Sequence, residues 1–89
     1  MDRYWLQHYP ANVPHDINPS EYASLRELID KGCLEHADKP AYSNMGTTLT
    51  FRELDARSRA FGAWLQQEAG LKKGDRIALM MPNILQYPI

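Results

Sequence analysis

Apolar positions change their spacing several times along this chain, and each change marks an element. Tyr22, Leu25, Ile29, Cys33 and His36 or Ala37 recur at helical spacing and predict a first helix with that set as its buried stripe. The helix should run from about Ser20 or Ser24 to about Ala37. Ser24 and Glu27 have the spacing of a capping box, while Asn18-Pro19 with Glu21 offers an earlier start. Asp38-Lys39-Pro40 ends the helix, and Gly32 inside it costs up to about 1 kcal/mol relative to alanine. Ala41–Asn44 and Thr48–Thr50 then flank Met45-Gly46-Thr47, the pattern of a short hairpin in which Gly46 supplies the positive φ. Thr50 caps a second helix, again with a glutamate three residues on at Glu53. Leu54, Phe61 and Leu65, flanked by Ala60 and Trp64, make its apolar face. Glu53–Arg57 and Asp55–Arg59 are i,i+4 pairs on its wet side, and Gly70 is placed to end it as the C′ residue. Leu71–Asp75 reads as a turn and Arg76–Met81 as a strand. Pro82-Asn83 closes that strand, and Asn83 is placed to cap a third helix from Ile84, with Pro88 awkwardly early in it.

The resulting fold class is α/β, in the order α-β-β-α-β, and incomplete on its own. Ile77–Met81 does not alternate apolar with polar residues. A run that is apolar on both faces describes an interior strand of a sheet covered on both sides, the usual setting of a parallel strand. Two helices and a hairpin cannot cover both faces and also supply neighbouring strands. The chain then adds Ile84, Leu85, Tyr87 and Ile89 and stops. Partner structure is therefore expected from outside the chain, and self-association is expected of the isolated piece. Residues 1–19 form an extended N-terminal arm, with residues 20–89 a partial α/β segment. Pro10, Pro14 and Pro19 suppress helix in the arm. Its Tyr4, Trp5, Leu6 and Tyr9 are expected to pack against the body of the same protein, with a membrane interface or a partner as the other use of such residues.

Composition narrows the class further. Eighty-nine residues suffice for one small domain, and the 44% apolar fraction is too high for a disordered chain. Ten basic residues against eleven acidic ones give a net charge of −1 without runs of like charge, so there is no electrostatic footprint for nucleic acid. A single cysteine, Cys33, rules out an internal disulfide or a thiolate metal cluster within one chain. The start, Met1-Asp2-Arg3-Tyr4-Trp5-Leu6, has no apolar core of a secretory signal, and the apolar run Ile77–Pro82 is far short of the ~20 residues that cross a bilayer. A soluble cytoplasmic protein is the expectation.

Candidate chemistry is sparse. The five glycines, Gly32, Gly46, Gly62, Gly70 and Gly74, are scattered, and each is explained as a turn, a cap or a packing position. Gly70-Leu71-Lys72-Lys73-Gly74-Asp75 has some likeness to a phosphate loop, but it lacks the Gly-Lys-Ser/Thr ending and lies between helix and strand rather than strand and helix. His8, His15 and His36 have no partner at metal-ligand spacing, and His36 suits the C-terminal end of a helix dipole. Cys33 on an apolar stripe reads as core rather than as a reactive thiolate. Asp38 and Asp75 sit in turns, where aspartate is common. No catalytic, cofactor-binding or metal-binding residue is assigned.

Four stretches nevertheless carry a resemblance. Tyr9-Pro10-Ala11-Asn12-Val13-Pro14, Leu49-Thr50-Phe51-Arg52-Glu53-Leu54, Ser58-Arg59-Ala60-Phe61 and Leu71–Asn83 stand in the order seen at the start of the adenylate-forming enzymes. Leu85-Gln86-Tyr87-Pro88 and the Tyr-Pro-x-x-Val-Pro arm resemble bacterial long-chain fatty acid–CoA ligases in particular. The resemblance implies an AMP-forming ligase in which ATP, with magnesium, activates a fatty acid as an acyl-adenylate and coenzyme A then takes the acyl group. It also implies that the ATP loop, the adenosine motifs and the catalytic lysine lie outside Met1–Ile89, so this segment is scaffold within the large N-terminal domain and inactive alone. Gly62 is placed where the second helix should approach a neighbour closely. Its partners are then the remainder of the parent enzyme, with fatty acid, ATP and coenzyme A for the parent. Peripheral contact with the inner membrane face is a further expectation for the parent. Two other readings stand beside it: a small interaction module that uses a free strand edge, and a piece of an aryl- or amino-acid-activating relative. A Gly-rich Ser/Thr loop ending in lysine downstream of Ile89 separates the ligase readings from the module.

Overall fold

Two hydroxyl caps decide where the helices begin. The computed structural model describes residues 1–89, and its order is a short 3-10 turn (Tyr4–His8), α1 (Leu25–Glu35), β1 (Pro40–Asn44), β2 (Thr47–Thr50) and α2 (Phe51–Gln67). Ser24 Oγ accepts the Glu27 N–H at 3.1 Å and fixes the later of the two predicted starts for α1. The Glu27 carboxylate reaches back to the Ala23 N–H, one residue beyond the usual box. Asn18 instead closes its own turn, its side-chain oxygen accepting the Ser20 N–H at 3.0 Å. At α2 the capping box is complete: Glu53 N–H donates to Thr50 Oγ1 at 3.2 Å, and Thr50 N–H donates to the Glu53 carboxylate at 2.9 Å.

The two helices are joined by backbone as well as by side chains. The first amides of a helix have no partner within it. Here Phe51 N–H donates to Lys39 C=O at 3.1 Å and Arg52 N–H to Ala37 C=O at 2.9 Å, so carbonyls leaving α1 satisfy the start of α2. Arg52 adds two bonds to Asp38 Oδ1, at 3.1 and 2.8 Å. Between these joints β1 and β2 form an antiparallel hairpin, with Tyr42 opposite Leu49, Ser43 opposite Thr48 and Asn44 opposite Thr47. The pairing slips between Pro40 and Tyr42, the signature of a bulge. The turn is tighter than the three-residue loop expected, because Met45 (φ 49°) and Gly46 (φ 80°) both adopt the left-handed conformation that a two-residue primed turn needs. At the far end of α2, Gly70 (φ 67°) turns the chain so that Leu71 N–H returns to Leu65 C=O at 2.9 Å. The last helical residue is Gln67, so Gly70 lies one position past the predicted C′.

Burial is confined to three side chains, one from each element that meets at the joint: Cys33 of α1, Leu49 of β2 and Leu54 of α2. The predicted α1 stripe is therefore covered only toward its C-terminal end. Leu25 and Ile29 lie in the open because α2 is the sole element packed on α1. On α2, Phe61 and Trp64 also face outward and stack on each other, with ring centroids 6.1 Å apart at 10°. Glu53 does not pair with Arg57, since its carboxylate is taken by the cap, whereas Asp55–Arg59 forms as expected at 2.9 Å.

Three sequence expectations need correction. Ile77–Met81 forms no ladder: the sheet has two strands, and no backbone N–H or C=O from Arg76 to Met81 is hydrogen-bonded within the chain. A strand exists only through its neighbour, and these residues contain none. The third helix does not form: Ile84–Tyr87 is one hydrogen-bonded turn, with Tyr87 N–H donating to Ile84 C=O at 3.0 Å, and Pro88 has no N–H to continue it. In the arm, Tyr4–His8 winds into a 3-10 turn ahead of the first proline, and it packs on neither helix nor the hairpin. The arm closes on itself through Arg3, which bonds the His15 carbonyl at 2.7 Å and Asp16 at 2.8 Å, while Tyr9 meets the His15 ring edge-on.

The molecule exposes 8109 Å², where a compact monomer of its mass exposes about 5,400 Å². Its radius of gyration is 17.9 Å, against about 12 Å for a compact domain of this length.

Candidate functional site

Two concave surfaces are lined by residues singled out in the sequence. The first is a groove of about 820 Å³ between α1 and α2, floored by Cys33 and Leu54 and rimmed by Asp30, Asp55 and Arg59. Arg59 bridges the helices, bonding Asp55 at 2.9 Å on its own helix and Asp30 at 3.3 Å on α1. The hydrogen bond that Arg59 donates to Asp55, then the charges of both carboxylates, hold the guanidinium firmly protonated. Sequence spacing identifies the Asp55–Arg59 half of this network. The reach to Asp30 depends on how the helices cross and has no local signature, although Arg26 and Asp30 stand at i,i+4 spacing and form a looser pair at 3.6 Å. Arg59 is thus shared between two carboxylates, one on each helix.

Cys33 lies at the bottom of this groove, and burial pushes its thiol above the usual cysteine range, with the charges of Asp55 and Asp30 adding to the effect. A thiol kept neutral is a poor nucleophile and a poor metal ligand. The reading of Cys33 as core holds.

The second surface is an apolar trough of about 610 Å³ between the outer half of α2 and the C-terminal segment, walled by Phe61, Leu65, Ile77, Leu79, Met81 and Ile89. Ile77, Leu79 and Met81 are alternate residues of the extended run and share this trough, while Met80 points elsewhere and is almost fully exposed. The C-terminal segment is held beside the hairpin by Asn44, whose side-chain amide donates to Asn83 C=O at 2.9 Å. Gly62 borders both concavities, and a side chain placed there would meet nothing within 4 Å. The close neighbour expected at Gly62 is not supplied by these residues.

The remaining candidates are dispersed. His8 ends the 3-10 turn, His15 lies against Tyr9, and His36 caps α1 with its ring 6.1 Å from Phe51. No group of three histidine, cysteine or acidic side chains is placed to hold a metal ion. In the Gly70–Asp75 loop the Asp75 carboxylate accepts the Lys72 N–H at 2.7 Å, occupying an amide that a phosphate would need. Asp38 is engaged by Arg52. Both aspartates are thus engaged within the chain.

Known proteins give the arrangement its context. The chain is 60% identical over its full length to a long-chain-fatty-acid–CoA ligase of Salmonella typhimurium and 58% identical to one of Yersinia pestis. A long-chain-fatty-acid–CoA ligase of Bacillus subtilis is 37% identical over 96% of the chain. The chain spans only 16% of the length of the Salmonella and Yersinia relatives and 15% of the Bacillus one. No solved structure matches it. The family description AMP-binding enzyme matches residues 29–89, which takes in both helices' shared joint, the hairpin and the whole apolar trough, and on that match the chain belongs to the AMP-binding enzyme family.

Proposed function

We propose that this chain is the N-terminal scaffold segment of an AMP-forming long-chain fatty acid–CoA ligase working in the cytoplasm. In it residues 1–19 are an N-terminal arm and residues 20–89 part of the AMP-binding domain. The parent would activate a fatty acid with ATP and magnesium and pass the acyl group to coenzyme A. The segment contributes no reacting group; it presents the trough and the unpaired Arg76–Met81 backbone to the remainder of the enzyme. The observation that carries this reading is identity of 54–60% across the whole chain to such ligases from Yersinia pestis, Salmonella typhimurium, Escherichia coli and Haemophilus influenzae. Identity at this level over all 89 residues favours a fatty acid–CoA ligase over an aryl- or amino-acid-activating relative.

The test is a chimera in which these 89 residues replace the matching 16% of the Salmonella typhimurium ligase. We expect ATP-dependent formation of fatty acyl–CoA within a few-fold of the unaltered ligase. The 89-residue chain alone should form none. A folded chimera without activity, or turnover by the short chain, would overturn the proposal.

The arm supports a second, narrower proposal, that the parent touches a membrane surface through it. Tyr4, Trp5 and Tyr9 are exposed on a turn that packs on no other element, and such rings suit a wet–dry boundary. With Trp64→Phe leaving Trp5 as the sole indole, vesicles of phosphatidylethanolamine and phosphatidylglycerol should shift its fluorescence to the blue and carry the chain down on sedimentation. Emission that ignores the vesicles would count against it.

A further inference from the structure

We draw no further inference here: the strongest candidate, the groove between α1 and α2 floored by Cys33, carries nothing because Arg59 at its rim is already shared between Asp30 and Asp55 and nothing in the structure shows what covers it.

Discussion

Thr50 is where a single side chain does most for this molecule. Its hydroxyl accepts a first-turn amide of α2, and its own amide is taken by Glu53, so two donors that would otherwise go unpaired are satisfied at one corner. Thr50→Ala should therefore lower stability by about 1 kcal/mol, within the usual range for a lost cap, read as a lower thermal midpoint by circular dichroism. The cap also carries a pH signature. The Thr50 amide, then its hydroxyl, hold the Glu53 carboxyl below the usual glutamate range. A depressed folded-state pKa means the contribution is complete above the unfolded value, about 4.3 for a free glutamate. It is lost as pH falls through the folded value. Helical signal should decline in that acid window, and Glu53→Gln, which still bonds the amide but cannot titrate, should flatten the decline. Superimposable acid titrations of the two proteins would remove the cap from the explanation. Asp16 is also held low, by Arg3, but it lies outside both α-helices and leaves their signal largely untouched.

At the scale of elements, what was legible in the sequence is what closes within four residues. Ser24 with Glu27 and Thr50 with Glu53 each bring donor and acceptor together locally and form where the spacing places them, and the turn at Gly46 forms one residue shorter than expected. Even the difference at the turn has a local cause. The left-handed region holds Met45 as well as Gly46, which shortens the loop and extends the pairing to Asn44 opposite Thr47. Methionine is a poor occupant there, since a side chain in that conformation costs roughly 1–2 kcal/mol. Its side chain is also fully exposed, so no packing offsets the cost. Met45→Asn, which creates the Asn-Gly pair that primed turns favour, should raise stability by roughly 0.5–1 kcal/mol, and Met45→Val should lower it. If calorimetry gives both variants the parental midpoint, the turn does not hold Met45 in this conformation. The features that were not legible all span distance. The Arg59–Asp30 bridge joins positions 29 residues apart, and the exposure of Leu25, Ile29, Phe61 and Trp64 depends on which elements are there to cover them. Ile77–Met81 shows the limit most clearly. Its residues state a demand for neighbours on two faces and two edges, but a demand is not a strand until another segment answers it.

For the whole molecule, that unanswered demand has a size. The surface exceeds that of a compact protein of this mass by about 2,700 Å². The excess is not spread evenly: the trough of Phe61, Leu65, Ile77, Leu79, Met81 and Ile89 and the free amides of Arg76–Met81 lie side by side. An apolar trough beside an unpaired backbone edge is a template for another strand, and in a solution of the short chain alone the only strand on offer is a second copy. Two measurements should therefore move together. In dilute solution the Arg76–Met81 amides should exchange hydrogen at rates close to those of an unstructured peptide, while amides inside α2 stay protected. As concentration rises, sedimentation should show association, and exchange across Arg76–Met81 should slow in parallel. Leu79→Lys combined with Met81→Lys places two charges in the trough and should restore the monomer without slowing or speeding exchange inside α2. Slow exchange of Arg76–Met81 in the dilute monomer is the outcome that would refute this account. It would mean that the 89 residues satisfy their own backbone and that their fold makes no demand on further chain.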